Sequence, residues 1–224
     1  MEKYLGIDLG GTNVRVAKVL ENGEIIEDIK RPSLAEKGKE AVVSNIIEML
    51  KSIKDYKECQ GIGIGVPGPV DTKRNVMTMS SNLPGFAFYN FADTLSDIFK
   101  MPVYLDNDAN AAGLAEALVG VGKGHSIVYY ITHSTGIGGA LVIDGKVLSG
   151  KNGYAGEIGN LIIDRDRQKY NHLNAGAVET EAGGLAIARI GKEVLGDKIQ
   201  SAKDVIDLAY SGDSKALKII DDMA

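Results

Sequence analysis

The chain has 224 residues, 44% of them hydrophobic and 25% charged, enough apolar material for one or two globular domains with a buried core. Its 25 Lys and Arg against 30 Asp and Glu give a formal charge of -5, so no basic surface suited to tracking nucleic acid phosphates is expected. Cys59 is the only cysteine, which excludes an internal disulfide and a Cys-rich zinc cluster, and no apolar run is long enough to cross a membrane; the expectation is a cytoplasmic protein, neither secreted nor embedded.

Residues 4–8, 14–20 and 24–29 read as three short strands, separated by Gly10-Gly11-Thr12-Asn13 and by Asn22-Gly23, a favoured hairpin turn. Val42, Val43, Ile46, Ile47, Leu50 and Ile53 recur at helical spacing, which predicts an amphipathic helix over 38–54. Ile62, Ile64 and Val66 alternate with glycines in a strand that stops at Pro67-Gly68-Pro69. The loop Asn82-Leu83-Pro84-Gly85 leads into a short helix carrying Phe91, Leu95, Ile98 and Phe99 on one face. Val103-Tyr104-Leu105 is a brief strand that runs into Asp106-Asn107-Asp108-Ala109-Asn110, and an Ala-rich helix follows to about Leu118.

Glycines at 120, 122 and 124 mark a lobe boundary, dividing the chain into an N-terminal α/β lobe, 1–118, and a C-terminal one, 119–224. The pattern then restarts, with strands at 126–131 and 137–143 around a Thr/Ser/Gly turn, a hairpin at Asp144-Gly145, and mainly helix from Glu179 onward. One β-turn-β unit in each half predicts two related α/β lobes facing a cleft.

Three clusters carry chemistry. In Asp8-Leu9-Gly10-Gly11-Thr12-Asn13-Val14-Arg15 the glycines let the backbone approach an anion, Thr12, Asn13 and Arg15 supply donors, and Asp8 could hold Mg²⁺ through water. A side chain at Gly11 is therefore expected to weaken nucleotide binding selectively. The turn Thr132-His133-Ser134-Thr135-Gly136-Ile137-Gly138-Gly139 repeats the device, with His133 an incidental turn residue. Two such turns fit a nucleoside triphosphate better than either does alone. Asp108 opens a helix, so it is either an N-cap or, beside phosphate holders, a base for an attacking hydroxyl, and Asn107 has the donors and acceptor for a neighbouring sugar hydroxyl. Gly68, Asn82, Glu157 and Glu179 lie in loops or at element ends, where polar groups are normally solvated.

These residues resemble the ROK family of sugar kinases and sugar-responsive repressors over essentially the whole chain. The resemblance rests on DLGGTNVR at 8–15, GVPGPVD at 65–71, SNLPGF at 81–86, NDAN at 107–110, STGIGG at 134–139, with Ser134 where glycine is usual, and GEIG at 156–159. It implies an α/β, two-lobed actin-like or hexokinase-like ATPase fold with ribonuclease H-like lobes. It also implies ATP and Mg²⁺ as cofactors, Asp108 as general base, and Gly68, Asn82, Asn107, Glu157 and Glu179 around the sugar. The implied activity is transfer of the γ-phosphoryl group of ATP to a hydroxyl of a hexose or N-acetylhexosamine, the 6-hydroxyl for preference. Homodimers are common in the family.

Two departures stand out. The family's structural zinc, held by one His and three Cys, meets Asn160, Tyr170, His172 and Ala177 here, so no structural zinc is expected. Family kinases also continue past the helix that ends this chain, which makes the second lobe look incomplete. The competing readings are a non-catalytic sugar- or nucleotide-binding remnant and a sugar-responsive regulator, a branch with a DNA-binding helix-turn-helix ahead of the first phosphate motif.

Overall fold

A computed structural model describes residues 1–170 and 173–223. The opening meander forms where expected. β1 (Lys3–Leu9) buries Leu5, Ile7 and Leu9 at every second position, the signature of a strand with one face on a core. It pairs antiparallel with β2 (Asn13–Leu20), which pairs antiparallel with β3 (Ile25–Pro32). At the second turn Gly23 takes φ +89° and the Leu20 amide bonds to the Glu24 carbonyl at 2.9 Å. β3 runs past its expected end at residue 29 because its ladder with β2 continues to the Asn13–Pro32 pair.

β4 (Ile62–Val66) adds parallel to β1, and β7 (Val103–Asn107) adds parallel to β4, giving a five-stranded sheet in the order β3-β2-β1-β4-β7. The helix α1 (Lys39–Ser52) buries Val42, Val43, Ile46, Met49 and Leu50, and α2 (Phe91–Phe99) adds Phe91, Leu95 and Phe99 to the same core. Burying each such side chain is worth about 1.5–3 kcal/mol. A small hairpin, β5 (Val70–Asp71) with β6 (Val76–Met77), is too short to leave a periodic signal in the sequence. It presents Asn75 to the edge of β7, where the side chain donates to the Val103 carbonyl at 2.7 Å and accepts the Leu105 amide at 2.8 Å. The amide side chain thus covers part of an edge that would otherwise offer unpaired backbone groups.

The helix α3 (Asp108–Leu118) precedes a three-stranded sheet, β10-β9-β8, made of β8 (Ile127–His133), β9 (Ile137–Ile143) and β10 (Lys146–Val147). Asp144 at φ +48° and Gly145 at φ +71° form the expected tight turn between β9 and β10.

The described residues fall into two compact units. The first holds Met1–Tyr130 with Ala140–Ala155, and the second holds Ile131–Gly139 with the chain from Gly156 onward. The first unit therefore extends beyond the boundary expected at residues 118 and 119. Close packing explains it: a Cβ on Gly113 of α3 would lie 3.0 Å from the Tyr130 Cβ and 2.7 Å from the Ala140 Cβ, so the base of the hairpin sits directly on α3.

The second unit is mainly helical, with α4 (Val178–Ala182), α5 (Gly184–Leu195), α6 (Ala202–Tyr210) and α7 (Ser214–Met223). Its small core joins Ile187, Ile199, Val205, Ala216 and Ile219. Gly191 lets α5 approach α6 closely, since a Cβ there would fall 2.3 Å from the Val205 side chain. Among the described residues no helix is long and apolar enough to cross a membrane.

Candidate active site

The parallel strands of the first unit place several of the singled-out residues at one rim. Asp8 of β1 is in register with Gly65 of β4, and Gly65 with Asp106 of β7. All three lie at or near the carboxyl ends of their strands, where open α/β sheets bind ligands. Gly65 also faces the start of α3: a Cβ there would stand 3.5 Å from the Asp108 Cα, in ordinary contact.

The strand-to-helix junction corrects one sequence expectation. The N-cap of α3 is Asn107, not Asp108: the Asn107 Oδ1 accepts the amides of Ala109 at 3.0 Å and Asn110 at 3.2 Å, while its Nδ2 donates to the Gly68 carbonyl at 3.1 Å. The reason lies in the ladder, because β4–β7 pairing continues to Val66–Asn107 and holds Asn107 extended, the geometry a cap needs. Much of the hydrogen-bonding capacity expected to meet a sugar is thus engaged in fixing the loop at Gly68 to the start of α3. Asp106 supports the same corner by accepting the Asn107 amide at 2.7 Å and the Asn110 side chain at 2.9 Å.

Asp108 is the first helical residue, and its Oδ1 accepts the Ala109 amide at 2.8 Å. The residue keeps an open solvent-facing surface, yet its carboxyl sits low among surrounding atoms. That crowding raises its pKa from the ordinary aspartate value; the Ala109 amide pulls it down, and repulsion from Asp8 pushes it up again.

The first glycine turn is closed by the Gly10 amide on the Asn13 carbonyl at 2.9 Å. Its outer support is Ser33, which sequence patterns do not reveal. Ser33 is fully buried, its hydroxyl donates to the Gly11 carbonyl at 2.6 Å, and its amide donates to the Thr12 carbonyl at 2.9 Å. Gly11 is glycine for want of space, because a Cβ there would lie 2.9 Å from the Asn82 carbonyl oxygen and 3.1 Å from the Asn82 Cβ. The expected selectivity of a Gly11 substitution is thereby corrected: any side chain must displace Asn82 as well. Thr12 and Asn13 are exposed. Arg15 extends over the sheet to Asp28 of β3 at 3.5 Å, one of the weak surface pairs.

In the second unit the residues from Thr132 to Gly138 run from the end of β8 through the turn into β9. The Ser134 amide bonds to the Gly136 carbonyl at 2.9 Å, and the carbonyls of Ser134 and Thr135 accept the amides of Gly184 at 2.9 Å and Leu185 at 3.1 Å from the start of α5. Glycine at 184 is required there, since a Cβ would fall 2.4 Å from the Ser134 oxygen. The Gly183-Gly184 pair was the available signal for this anchor. His133 bonds through Nε2 to the Ala182 carbonyl at 2.7 Å, a tie between strand and helix.

Glu179, in the first turn of α4, is brought to this turn rather than left in a loop. Its Oε2 accepts the Ile137 amide at 2.9 Å, and a Cβ on Gly136 would lie 2.2 Å from that oxygen. A Cβ built on Gly159 of the GEIG segment would likewise stand 3.3 Å from the Glu179 Oε2, while Glu157 is exposed.

The residues at the zinc-ligand positions do not fit a metal. Asn160 uses its Oδ1 to accept the Asn174 amide at 2.9 Å, Tyr170 lies against Arg189, and Ala177 has no donor atom. His172 lies outside the described residues.

The mixed sheet, with a glycine turn after its first strand and a carboxylate at the rim of its last, has the α/β fold of hexokinase-like ROK structures. Residues 4–224 match the ROK family, and the chain belongs to it. It is 34% identical to the glucokinase of Thermotoga maritima, over 98% of this chain and 73% of that one. It is 33% identical to an N-acetylmannosamine kinase of Yersinia pestis, over 98% of this chain and 74% of the relative. Among solved structures, a ROK family glucokinase from Streptomyces griseus in complex with glucose and AMPPNP superposes with a TM-score of 0.78 at 27% identity, covering 99% of this chain and 75% of that one.

Proposed function

We propose that the chain is an ATP-dependent sugar kinase that phosphorylates a hydroxyl, the 6-hydroxyl for preference, of a hexose or N-acetylhexosamine. The observation that carries this reading is the state of Asp108. Capping of α3 falls to Asn107, which leaves Asp108 a crowded but solvent-open carboxylate of raised proton affinity at the sheet rim. Asp108 takes the proton of the sugar hydroxyl as that oxygen bonds to the γ-phosphorus, and the bond from phosphorus to the β,γ-bridging oxygen breaks to release ADP.

Phosphate oxygens are received by Gly10, Gly11, Thr12, Asn13 and Arg15 and, in the second unit, by Thr132, Ser134, Thr135, Gly136 and Gly138. The sugar is held by Gly68, Asn82, Asn107, Glu157 and Glu179. The repulsion between Asp8 and Asp108 supports a site where Asp8 would hold a Mg²⁺ ion, which would supply positive charge toward the phosphates. The named relatives support a sugar substrate, and AMPPNP in the Streptomyces griseus structure supports ATP. A cytoplasmic homodimer completes the proposal, and sedimentation of the purified chain tests the oligomer.

The experiment is an ADP-release assay with ATP and Mg²⁺ against glucose, N-acetylmannosamine, N-acetylglucosamine, fructose and a β-glucoside. Turnover of one of them is expected. Sugar binding without turnover would instead indicate a binding protein, and the kinase reading would fall.

A further inference from the structure

We infer that Arg189 and Tyr170 form a clasp that positions Glu179 against the second glycine turn; Arg189 is a positioning residue that acts through α4 and touches no ligand. Arg189 sits on α5, and one guanidinium nitrogen, Nη2, donates to the Thr180 carbonyl at 2.9 Å. Thr180 is the residue after Glu179, in a helix of only five residues whose carbonyls cannot all find partners within it. The side chain of Thr180 is buried and bonds back to the Ala177 carbonyl at 2.8 Å, so the segment has little freedom once Arg189 holds it.

The other face of Arg189 is fixed by Tyr170. The guanidinium carbon stands 3.9 Å from the ring centroid, and Nη1 donates to the Tyr170 hydroxyl at 3.1 Å. Glu193, one helical turn on, lies 3.8 Å away and keeps the charge compensated. Glu179 meanwhile is engaged at the turn, with Oε2 accepting the Ile137 amide and lying against Gly136. The same α5 donates the Gly184 and Leu185 amides to Ser134 and Thr135, so one helix fixes the turn directly at its first residues and fixes Glu179 through Arg189.

This inference rests on the sugar-kinase reading for its consequence but not for its test. The direct readout is hydrogen exchange at the Ile137 amide, the proton that Glu179 accepts. In Glu179→Ala that amide should exchange on the order of tenfold faster, and Arg189→Ala should accelerate it by a similar factor, with no further acceleration in the double variant. Arg189→Lys, which keeps one donor for Thr180 and loses the planar stack, and Tyr170→Ala should fall between wild type and Arg189→Ala; both serve if Arg189→Ala fails to fold. The second readout is glucose and N-acetylmannosamine affinity by calorimetry. Loss of sugar affinity in Glu179→Ala and Arg189→Ala that is not additive in the double variant supports the clasp and the sugar role together. Faster exchange in both variants with sugar affinity unchanged supports the clasp and removes Glu179 from the sugar site. Unchanged exchange at Ile137 in the folded Arg189 and Tyr170 variants overturns the inference.

Discussion

Replacing Asp108 with Asn separates chemistry from architecture at one atom. The substitution keeps size and an acceptor oxygen, so the 2.8 Å bond from the Ala109 amide can be remade, and the two capping bonds from Asn107 are untouched. What is lost is the capacity to take a proton. General-base catalysis is worth on the order of 10²- to 10⁴-fold, or about 2.7–5.4 kcal/mol of barrier at 1.36 kcal/mol per decade. Stability should move much less. A carboxylate in the first turn of α3 gains about 0.3–1 kcal/mol from the helix dipole, and its crowding and the nearby Asp8 charge oppose that gain. The net change is therefore within about 1 kcal/mol. Its sign depends on pH. Because the folded-state pKa of Asp108 is raised, ionisation costs stability at pH above that pKa, and the cost fades as pH falls through it toward the ordinary carboxylate value. Relative to wild type, the Asn variant should therefore gain stability between acid and neutral pH. The assay pairs kcat, measured with the sugar that turns over, with denaturant midpoints at acid and neutral pH taken without Mg²⁺ or nucleotide. Near wild-type kcat in a folded Asn variant would refute the assignment of Asp108 as base, and an equal pH dependence of stability in both proteins would refute its raised proton affinity.

Three further outcomes follow from the geometry. Gly11→Val should lower affinity for both ATP and sugar, since the new Cβ meets Asn82 at 2.9–3.1 Å; calorimetry showing loss of ATP binding alone would mean the Asn82 loop yields freely. Asn107→Ala removes the α3 cap and should cost about 0.5–2 kcal/mol in urea unfolding, whereas an unchanged midpoint would show that water replaces the side chain without penalty. Metal analysis after dialysis should find no stoichiometric zinc, because Asn160, Tyr170 and Ala177 stand where ligands would be needed; one tightly bound zinc per chain would overturn that reading.

Motifs were legible where local chain chemistry decides the structure. Gly10-Gly11 between two alternating runs, Asn22-Gly23, and Asp144-Gly145 each specify a turn through the residues they contain, and β1, β2, β9 and α1 fall close to their expected spans. Sequence pattern could not choose between Asn107 and Asp108 as cap, because both residue types favour that position and the choice is made by how far β7 stays paired to β4. The supports of the site were illegible for a related reason. Ser33 reaches Gly11 across 22 residues and Glu179 reaches Ile137 across 42, and both are contacts to backbone groups, which every residue carries. Arg189 reads in the sequence as one cation on an amphipathic helix, and only the folded chain shows it stacked on Tyr170 and bonded to the residue beside Glu179. Residues that meet a ligand need distinctive side chains, whereas residues that hold those side chains in place need only a donor at the right distance. A single sequence therefore exposes the first kind by composition and conceals the second until tertiary packing is known.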